Sequence, residues 1–290
     1  LPFFAMEYVV GEPITTYCDR VTLPNEARLQ LFRQVCDGVQ HAHQKGIIHR
    51  DLKPSNVLVS IENDRPLPKI IDFGVAKATA QRLTDKTLFT EIGGLIGTPG
   101  YISPEQAQMS GLDIDTRADV YALGVMLYEL LTGVLPFDPK ALRAQPIDEM
   151  LRQIREVDPP RPSTRVSMAG ESIEAAQRRQ TDPARLVSLL KGELDWIAMK
   201  AIEKDRTRRY ASASELQADI ERYLTDQPLL AGPPSAAYRA RKFIKRHRFG
   251  VSAATLGVAA LAVFGVTMAI QANRIAAERD RAEAVSDFLK

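Results

Sequence analysis

The chain has 290 residues, which is long enough for one or two domains with a substantial core. Its 38 Lys and Arg nearly balance its 36 Asp and Glu, so the net charge of +2 gives no overall indication of a polyanionic partner. The two cysteines, Cys18 and Cys36, exclude a disulfide framework and are typical of a reducing compartment.

The first predicted elements are strands and one long helix. The chain opens on LPFFAMEY, an apolar run typical of a strand already under way, and we therefore expect a sequence truncated at its N-terminus. Apolar residues at helical spacing predict a helix over residues 24–46, where Gly46 ends the run. Short apolar runs at 57–59 and 69–71 flank a turn at 62–66 and predict a hairpin.

The second half of the chain is predicted to be mainly helical. A long loop is expected first, at residues 75–100, where Thr and Gly are frequent. The predicted helical ranges are 118–132 (ended by Gly133), short pieces within 138–190, 192–203 and 212–224. Ser212 and Glu215 have the spacing of a capping box at the start of the helix at 212–224.

A membrane-spanning helix is predicted at residues 249–271. Residues 249–270 carry no charged side chain over 22 positions, and at about 1.5 Å per residue such a helix crosses the roughly 30 Å hydrocarbon core. Six Lys and Arg lie between Arg239 and Arg248 with no acid among them, so the positive-inside rule predicts residues 1–248 on the cytoplasmic side. An intracellular packing helix is the alternative interpretation.

The last segment, residues 272–290, has apolar residues near heptad spacing with charges between them. This pattern predicts the start of an extracytoplasmic helical region. A coiled coil and a helical repeat both fit it.

The string HRDLKPSN at 49–56 brings a carboxylate, an ammonium and an amide together at fixed spacing. Phosphoryl transfer requires an oriented nucleophile and cations that spread the charge of the moving group. Asp51 would accept the proton of a substrate hydroxyl, and Lys53 would meet the phosphate.

A second string, DFG at 72–74, follows the first at a distance that the predicted hairpin explains. Asn56 and Asp72 are 16 residues apart, but the hairpin at 57–71 would bring them to one place. Their oxygens are of the hard kind that magnesium prefers. We therefore predict a magnesium site at Asn56 and Asp72.

The two strings resemble the H-R-D-L-x-x-x-N and D-F-G signatures of protein kinases. GTPGYISPE at 97–105 resembles the end of a kinase activation segment, with Ser103 in place of the usual Ala. DRTRRY at 205–210 resembles the late D-P-x-x-R-Y pattern, with Arg206 replacing Pro. The resemblance covers about residues 3–225 and is to the membrane-anchored, bacterial, eukaryotic-like (Hanks-type) serine/threonine protein kinases.

The resemblance implies an α+β protein-kinase-like fold, here mainly its helical C-terminal lobe, joined to one transmembrane helix. The predicted domains are the hinge and the end of the N-lobe (1–10), the kinase C-lobe (11–226), a basic juxtamembrane linker (227–248), the transmembrane helix (249–271) and the extracytoplasmic region (272–290).

The implied reaction is transfer of the ATP γ-phosphate to Ser or Thr of protein substrates, with ATP and magnesium as cofactors, in transmembrane signalling. Thr98 would contact the catalytic Asp51 and Lys53. The carbonyl of Glu7 and the amide of Val9 would bond adenine, and Leu58 would pack under its ring. Asn56 and Asp72 would serve both catalysis and nucleotide binding.

Other residues receive roles from the same resemblance. Glu105 and Arg209 are expected to form a buried ion pair, with an ordinary exposed pair as the alternative. Asp119 is expected to anchor the catalytic loop, with a helix N-cap as the alternative. A phosphate on an activation-loop threonine would neutralise Arg50, and the candidates are Thr84, Thr87 and Thr90.

Three parts of the family pattern have no counterpart in the sequence, namely the Gly-rich loop, the strand lysine and the helix glutamate. We therefore expect an active parent protein and an inactive fragment. The alternative is a pseudokinase or membrane-anchored scaffold module. The expected partners are protein substrates and a cell membrane that residues 249–271 cross once; a homodimer is left open, and no nucleic acid is expected.

Overall fold

The computed structural model describes residues 7–73, 99–108, 114–168, 172–233 and 235–288. The chain divides into two units, Leu1–Pro233 and Pro234–Lys290. The strands are β1 (Glu12–Pro13), β2 (Val57–Glu62) and β3 (Arg65–Ile70). The helices are α1 (Ile14–Arg20), α2 (Asn25–Gln44), α3 (Pro104–Ala107), α4 (Arg117–Thr132), α5 (Pro139–Arg143), α6 (Ile147–Glu156), α7 (Pro162–Met168), α8 (Ser172–Gln177), α9 (Pro183–Leu190), α10 (Glu193–Ala201), α11 (Ala213–Leu224), α12 (Ala236–Arg246) and α13 (Arg248–Phe288).

The predicted hairpin is confirmed, but its turn is shorter than the predicted range of 62–66. β2 and β3 pair antiparallel as far as Glu62↔Arg65. Only Asn63 and Asp64 remain for the turn, with φ values of 49° and 59°. A two-residue hairpin loop of this kind needs positive φ at both positions, and Asn and Asp tolerate that conformation better than most residues. The strands therefore extend to the edges of the turn.

The helix predicted at 24–46 is α2, and the one predicted at 118–132 is α4. α2 buries one apolar face, which includes Leu29, Phe32 and Val35. α4 is buried along nearly its whole length, so it forms the centre of the helical unit. Gly133, with φ of +83°, ends α4 in the left-handed conformation that glycine adopts without strain.

Two buried arginines hold the C-terminal end of α4, which sequence analysis did not predict. Arg179 donates to the carbonyl of Leu130 from Nη2 at 2.8 Å, and Arg28 reaches the same oxygen at 3.5 Å. Arg28 also pairs with Asp19 at 2.7 Å. Cations at this end complement the helix dipole and the last carbonyls. Burial, with the nearby charge of Arg28, lowers the pKa of Arg179 to about 9.

The capping box predicted at the start of α11 is only half formed. Ser212 is the N-cap, and its Oγ accepts the amide of Glu215 at 3.2 Å. The Glu215 carboxylate accepts from the amide of Ala211 at 2.9 Å, one residue before the N-cap. The helix therefore begins where predicted, although the return bond of the box is shifted by one residue.

The second unit contains α12 and the long helix α13. Residues Phe249–Ala277 of α13 are long and apolar enough to cross a membrane, with a mean hydropathy of 2.1 over their most apolar part. None of that part is buried, and Leu256 for example is 72% exposed, which does not favour a core packing helix. The predicted long apolar helix is therefore present, and it continues to Phe288.

Gly124 of α4 is expected to be intolerant of a side chain because α10 packs closely on it. A Cβ at Gly124 would lie 2.6 Å from Cβ of Ala201 and 2.8 Å from Cγ2 of Ile202. Overpacking of this kind costs about 1–3 kcal/mol, so Gly124→Ala should lower the free energy of unfolding by that amount, measured by urea denaturation. The control is Gly38→Ala in α2, where the obstructing atom is the flexible end of Ile70. A loss no larger than that of the control would contradict the close packing.

Candidate active site

The loop that carries Asp51 is fastened to the first turn of α4 by Asp119. The two carboxylate oxygens of Asp119 accept the amides of His49 and Arg50, each at 2.8 Å. His43 of α2 adds a third hydrogen bond through Nε2, also at 2.8 Å. Asp119 is 1% exposed, and the N-cap of α4 is Thr116. Of the two roles weighed for Asp119, the structure supports the loop anchor.

His49 joins this loop to the segment that precedes the DFG string. Its Nε2 bonds the carbonyl of Ile71 at 2.9 Å, and the amide of Asp51 lies 3.4 Å from its Nδ1. A carbonyl only accepts, so Nε2 carries the proton and Nδ1 is the acceptor. The imidazole also packs against the ring of Phe73, with centroids 4.9 Å apart.

The structure brings Asp51, Lys53 and Asn56 together. Nζ of Lys53 lies 3.0 Å from Oδ2 of Asp51, and Nδ2 of Asn56 donates to the carbonyl of Asp51 at 2.8 Å. Both charged side chains are partly exposed, at 36% for Asp51 and 22% for Lys53. The carboxylate therefore stays accessible while the backbone beneath it is held by a buried amide.

The hairpin brings the residue before Asp72 into contact with Asn56. The amide of Ile71 donates to the carbonyl of Asn56 at 2.9 Å, directly beyond the Val57↔Ile70 pair. Asp72 follows in the left-handed region, with φ of +57°, and its side chain is exposed.

These two residues fit magnesium by their chemistry. Nδ2 of Asn56 donates to the carbonyl of Asp51, so Oδ1 is the atom that could face a cation, and this oxygen also lies 3.5 Å from the hydroxyl of Ser55. Magnesium typically takes one or two such oxygens from a protein and fills its other positions with water and phosphate. Within the described ranges, no group of three or more His, Cys, Asp or Glu is placed to hold a metal ion.

The residues predicted to bind adenine lie on β2 and in the segment that leads into β1. Leu58 is partly exposed between the buried Val57 and Val59, so it faces away from the helical core. Glu7 is exposed, and its Oε1 lies 3.4 Å from Nζ of Lys69 on β3. Val9 belongs to an irregular segment that leads into β1. Thr98, Gly74 and the threonines 84, 87 and 90 fall outside the described residues.

Gln106 is a residue of this site that sequence reasoning missed. Its Nε2 donates to the carbonyl of Arg50 at 2.8 Å, and its Oε1 accepts the amide of Ser103 at 3.0 Å. Ser103 is the N-cap of α3, and with Gln106 it forms a capping box. The S-x-x-Q spacing of a capping box is visible in the sequence and is the signal that could have identified it. Ser103, the departure from the usual Ala, thus has a structural reason.

Glu105 and Arg209 form the predicted ion pair, and it is buried. The two contacts measure 2.7 and 2.8 Å, and the side chains are 9% and 0% exposed. The guanidinium also donates to the carbonyls of Glu203, Arg117 and Lys204. Its donors are therefore satisfied from several directions, as a buried charge requires.

A second contact, partly buried, joins Tyr101 to Glu129 of α4 by a hydrogen bond from the phenol to the carboxylate. Burial raises the pKa of the Glu129 carboxyl. Burial, reinforced by the charge of Glu129, raises the pKa of Tyr101 as well. This contact links the segment before α3 to the central helix, and sequence analysis did not predict it.

Asp119→Ala is expected to destabilise the protein strongly. The substitution leaves the amides of His49 and Arg50 without an acceptor, and each unsatisfied buried group costs about 1–3 kcal/mol. Urea denaturation should show a loss of roughly 2–6 kcal/mol, the sum for the two amides. Asp138→Ala is the control, because Asp138 caps α5 at an exposed position and its loss should cost about 1 kcal/mol. Equal losses would contradict the anchoring role.

Arg209→Ala is expected to cost about 3–5 kcal/mol, since it leaves the carboxylate of Glu105 buried without its partner. The matched control is Arg152→Ala, which breaks an exposed pair with Glu149 and should cost no more than about 1 kcal/mol. The measurement is again the free energy of unfolding. Similar values for the two variants would show that the Glu105–Arg209 pair does not carry this stability.

Comparison with known proteins agrees with this geometry. Residues 2–219 match the family described as "Protein kinase domain". Serine/threonine-protein kinase PknB of Mycobacterium leprae is 36% identical over 230 residues, which is 79% of this chain and 31% of that protein. Serine/threonine-protein kinase pkn3 of Myxococcus xanthus is 36% identical over 234 residues, 78% of this chain and 40% of its own length. PknB of Mycolicibacterium smegmatis is 33% identical over 301 residues, which is 95% of this chain and 43% of that protein.

The chain thus spans about a third to two fifths of the length of these curated relatives.

Among solved structures, the Mycobacterium tuberculosis PknI kinase domain aligns with 74% of this chain and with 64% of the solved chain, at 23% identity and a TM-score of 0.47. The family match begins at residue 2 and ends within α11. The chain therefore belongs to the protein kinase domain family.

Proposed function

We propose that this chain is the catalytic lobe of a serine/threonine protein kinase, which transfers the γ-phosphate of ATP to Ser or Thr hydroxyls of protein substrates. The observation that carries the proposal is the contact of Asp51 with Lys53, 3.0 Å apart and open to solvent, on a backbone that Asp119 and Asn56 hold from below. A phosphoryl-transfer site needs such an accessible base beside a cation.

Asp51 would act as the base of this reaction. Its carboxylate would accept the proton of the substrate hydroxyl as the oxygen attacks phosphorus and the bond to the leaving ADP breaks. Lys53 would stabilise the negative charge of the transferring group, since it already lies 3.0 Å from Asp51. Thr98 would help to position the hydroxyl. The family resemblance of Lys53 and of the GTPGY string at 97–101 favours Ser and Thr over Tyr as acceptors.

Asn56 and Asp72 would hold magnesium, which supplies positive charge for the phosphates when bound. The orientation of the Asn56 amide and the exposed carboxylate of Asp72 support this assignment. Glu7 and Val9 would bond the adenine through their backbone, and Leu58 would contact the ring from the outer face of the sheet. The partial exposure of Leu58, between two buried valines, supports that role.

We propose that the other parts of a kinase are supplied by a longer protein. No string in residues 1–290 matches the G-x-G-x-x-G loop that covers the phosphates, and the strand lysine and helix glutamate of the family pattern have no match either. We therefore expect the polypeptide of residues 1–290 alone to transfer little phosphate. Activity is proposed for the full-length protein.

We further propose that the protein is a single-pass membrane protein that acts in transmembrane signalling. The length, apolarity and exposure of Phe249–Ala277 support the anchor. The basic segment before this helix favours a cytoplasmic kinase lobe and an extracytoplasmic tail, by the positive-inside rule. The homodimer left open by the sequence, and the lack of nucleic-acid binding, stay predictions.

Asp51→Asn in the full-length protein should abolish transfer of labelled phosphate from ATP to protein, because the amide cannot accept the hydroxyl proton. The matched control is Asp64→Asn in the hairpin turn, where Asn tolerates the φ of 59° equally well. The control should retain activity, and chelation of magnesium should abolish it. Undiminished transfer by Asp51→Asn would contradict the proposed mechanism, whereas a wild-type protein with no transfer would favour a pseudokinase scaffold.

A further inference from the structure

Helix α12 is amphipathic, and its apolar side is exposed. Successive residues of a helix are turned by about 100°, which places five residues of α12 on one continuous face. These residues are Ala236, Ala237, Ala240, Phe243 and Ile244. All five are exposed, with Phe243 at 53% and Ile244 at 52%. An aromatic and a β-branched side chain side by side on an exposed helix face indicate a surface that is covered in the functional protein.

The remaining face of α12 is basic and contains no acid. Its cations are Arg239, Arg241, Lys242, Lys245 and Arg246. Lys242 is buried, while the other four side chains are exposed. A face of this charge complements a negatively charged surface. The same helix therefore offers exposed apolar side chains and exposed cations at once.

The position of α12 in the chain identifies the surface that it fits. α12 ends at Arg246, and after His247 the chain enters α13, whose apolar stretch begins at Phe249. A helix that directly precedes a membrane span is held at the depth where acyl chains meet headgroups. Helices that lie in this interface combine an apolar face with a Lys- and Arg-rich face and bind anionic lipids.

We propose that α12 lies in the membrane interface and binds anionic phospholipid headgroups on the side of the kinase lobe. Phe243 and Ile244 enter the acyl boundary, and Arg239, Arg241, Lys245 and Arg246 contact the phosphates. The proposal rests on the membrane anchoring of α13 proposed above. It adds a lipid-binding surface to the anchor.

The test uses nitroxide labels on introduced cysteines in the full-length protein, reconstituted in lipid nanodiscs. The two thiols of residues 1–290 should not compete for the label, because Cys18 and Cys36 are buried, and any cysteine elsewhere in the full-length protein is replaced by serine. Burial raises the pKa of the Cys18 thiol to about 11 and that of Cys36 still further. Ala240→Cys reports on the apolar face, and Lys245→Cys, turned away by about 140° on the helix, is the matched control.

The measurement is the collision rate of each label with oxygen, which is enriched in lipid, relative to a water-soluble nickel complex. In discs that contain phosphatidylglycerol, this ratio should be several-fold higher at position 240 than at position 245. In discs of phosphatidylcholine alone, the difference should shrink. Replacing Arg239, Arg241, Lys245 and Arg246 by Gln in the Ala240→Cys protein should remove the effect of phosphatidylglycerol.

A label on Ala260→Cys, within α13, separates the two proposals. If that label is in lipid while position 240 is equally water-accessible in both kinds of disc, α12 takes some other partner, such as an acidic protein, and the lipid proposal is wrong. If the label at 260 is itself in water, the anchoring proposal fails first. Phosphate transfer is measured separately, so neither result bears on Asp51.

Discussion

The carboxylate of Asp119 is the group on which the site depends most. It is buried at the start of the central helix and accepts two consecutive amides of the loop that carries Asp51. A side chain that holds a backbone in this way transfers the rigidity of the core to a loop that has no regular structure. Arg50 has a φ of +65°, a conformation that costs energy unless its surroundings maintain it. The carboxylate of Asp119 and the amide of Gln106 hold Arg50 from both sides.

Sequence patterns predicted the parts of the fold that local rules control. The helices α2, α4, α10 and α11 follow from apolar spacing and end signals, and the hairpin of β2 and β3 follows from two β-prone runs around polar turn residues. The candidate site followed from strings in which several residue types recur at fixed spacing. For Asp119 the residue itself permitted two roles, and only the three-dimensional path of the loop distinguishes them.

What the sequence did not predict depends on contacts between distant segments. The bond from Tyr101 to Glu129 and the hold of Arg28 and Arg179 on α4 join segments that no periodicity connects. Arginine side chains are rarely buried in proteins, so a prediction from sequence places them on the surface. Their burial becomes favourable here because the carbonyls at the end of a helix offer a fixed set of acceptors. The two-residue strand β1 is likewise defined by its partner, since Gly11 passes close to the backbone of Val59.

The capping box of Ser103 and Gln106 has an evolutionary consequence. Gln106 uses its oxygen on the amide of Ser103 and its nitrogen on the carbonyl of Arg50. A glutamate could make the first bond but not the second, since a carboxylate does not donate. Alanine at 103 would remove the hydroxyl that accepts the amide of Gln106. The two bonds of the Gln106 side chain to the backbone of Ser103 and Arg50 do not need that hydroxyl. Relatives with alanine at 103 should therefore still keep glutamine three residues later.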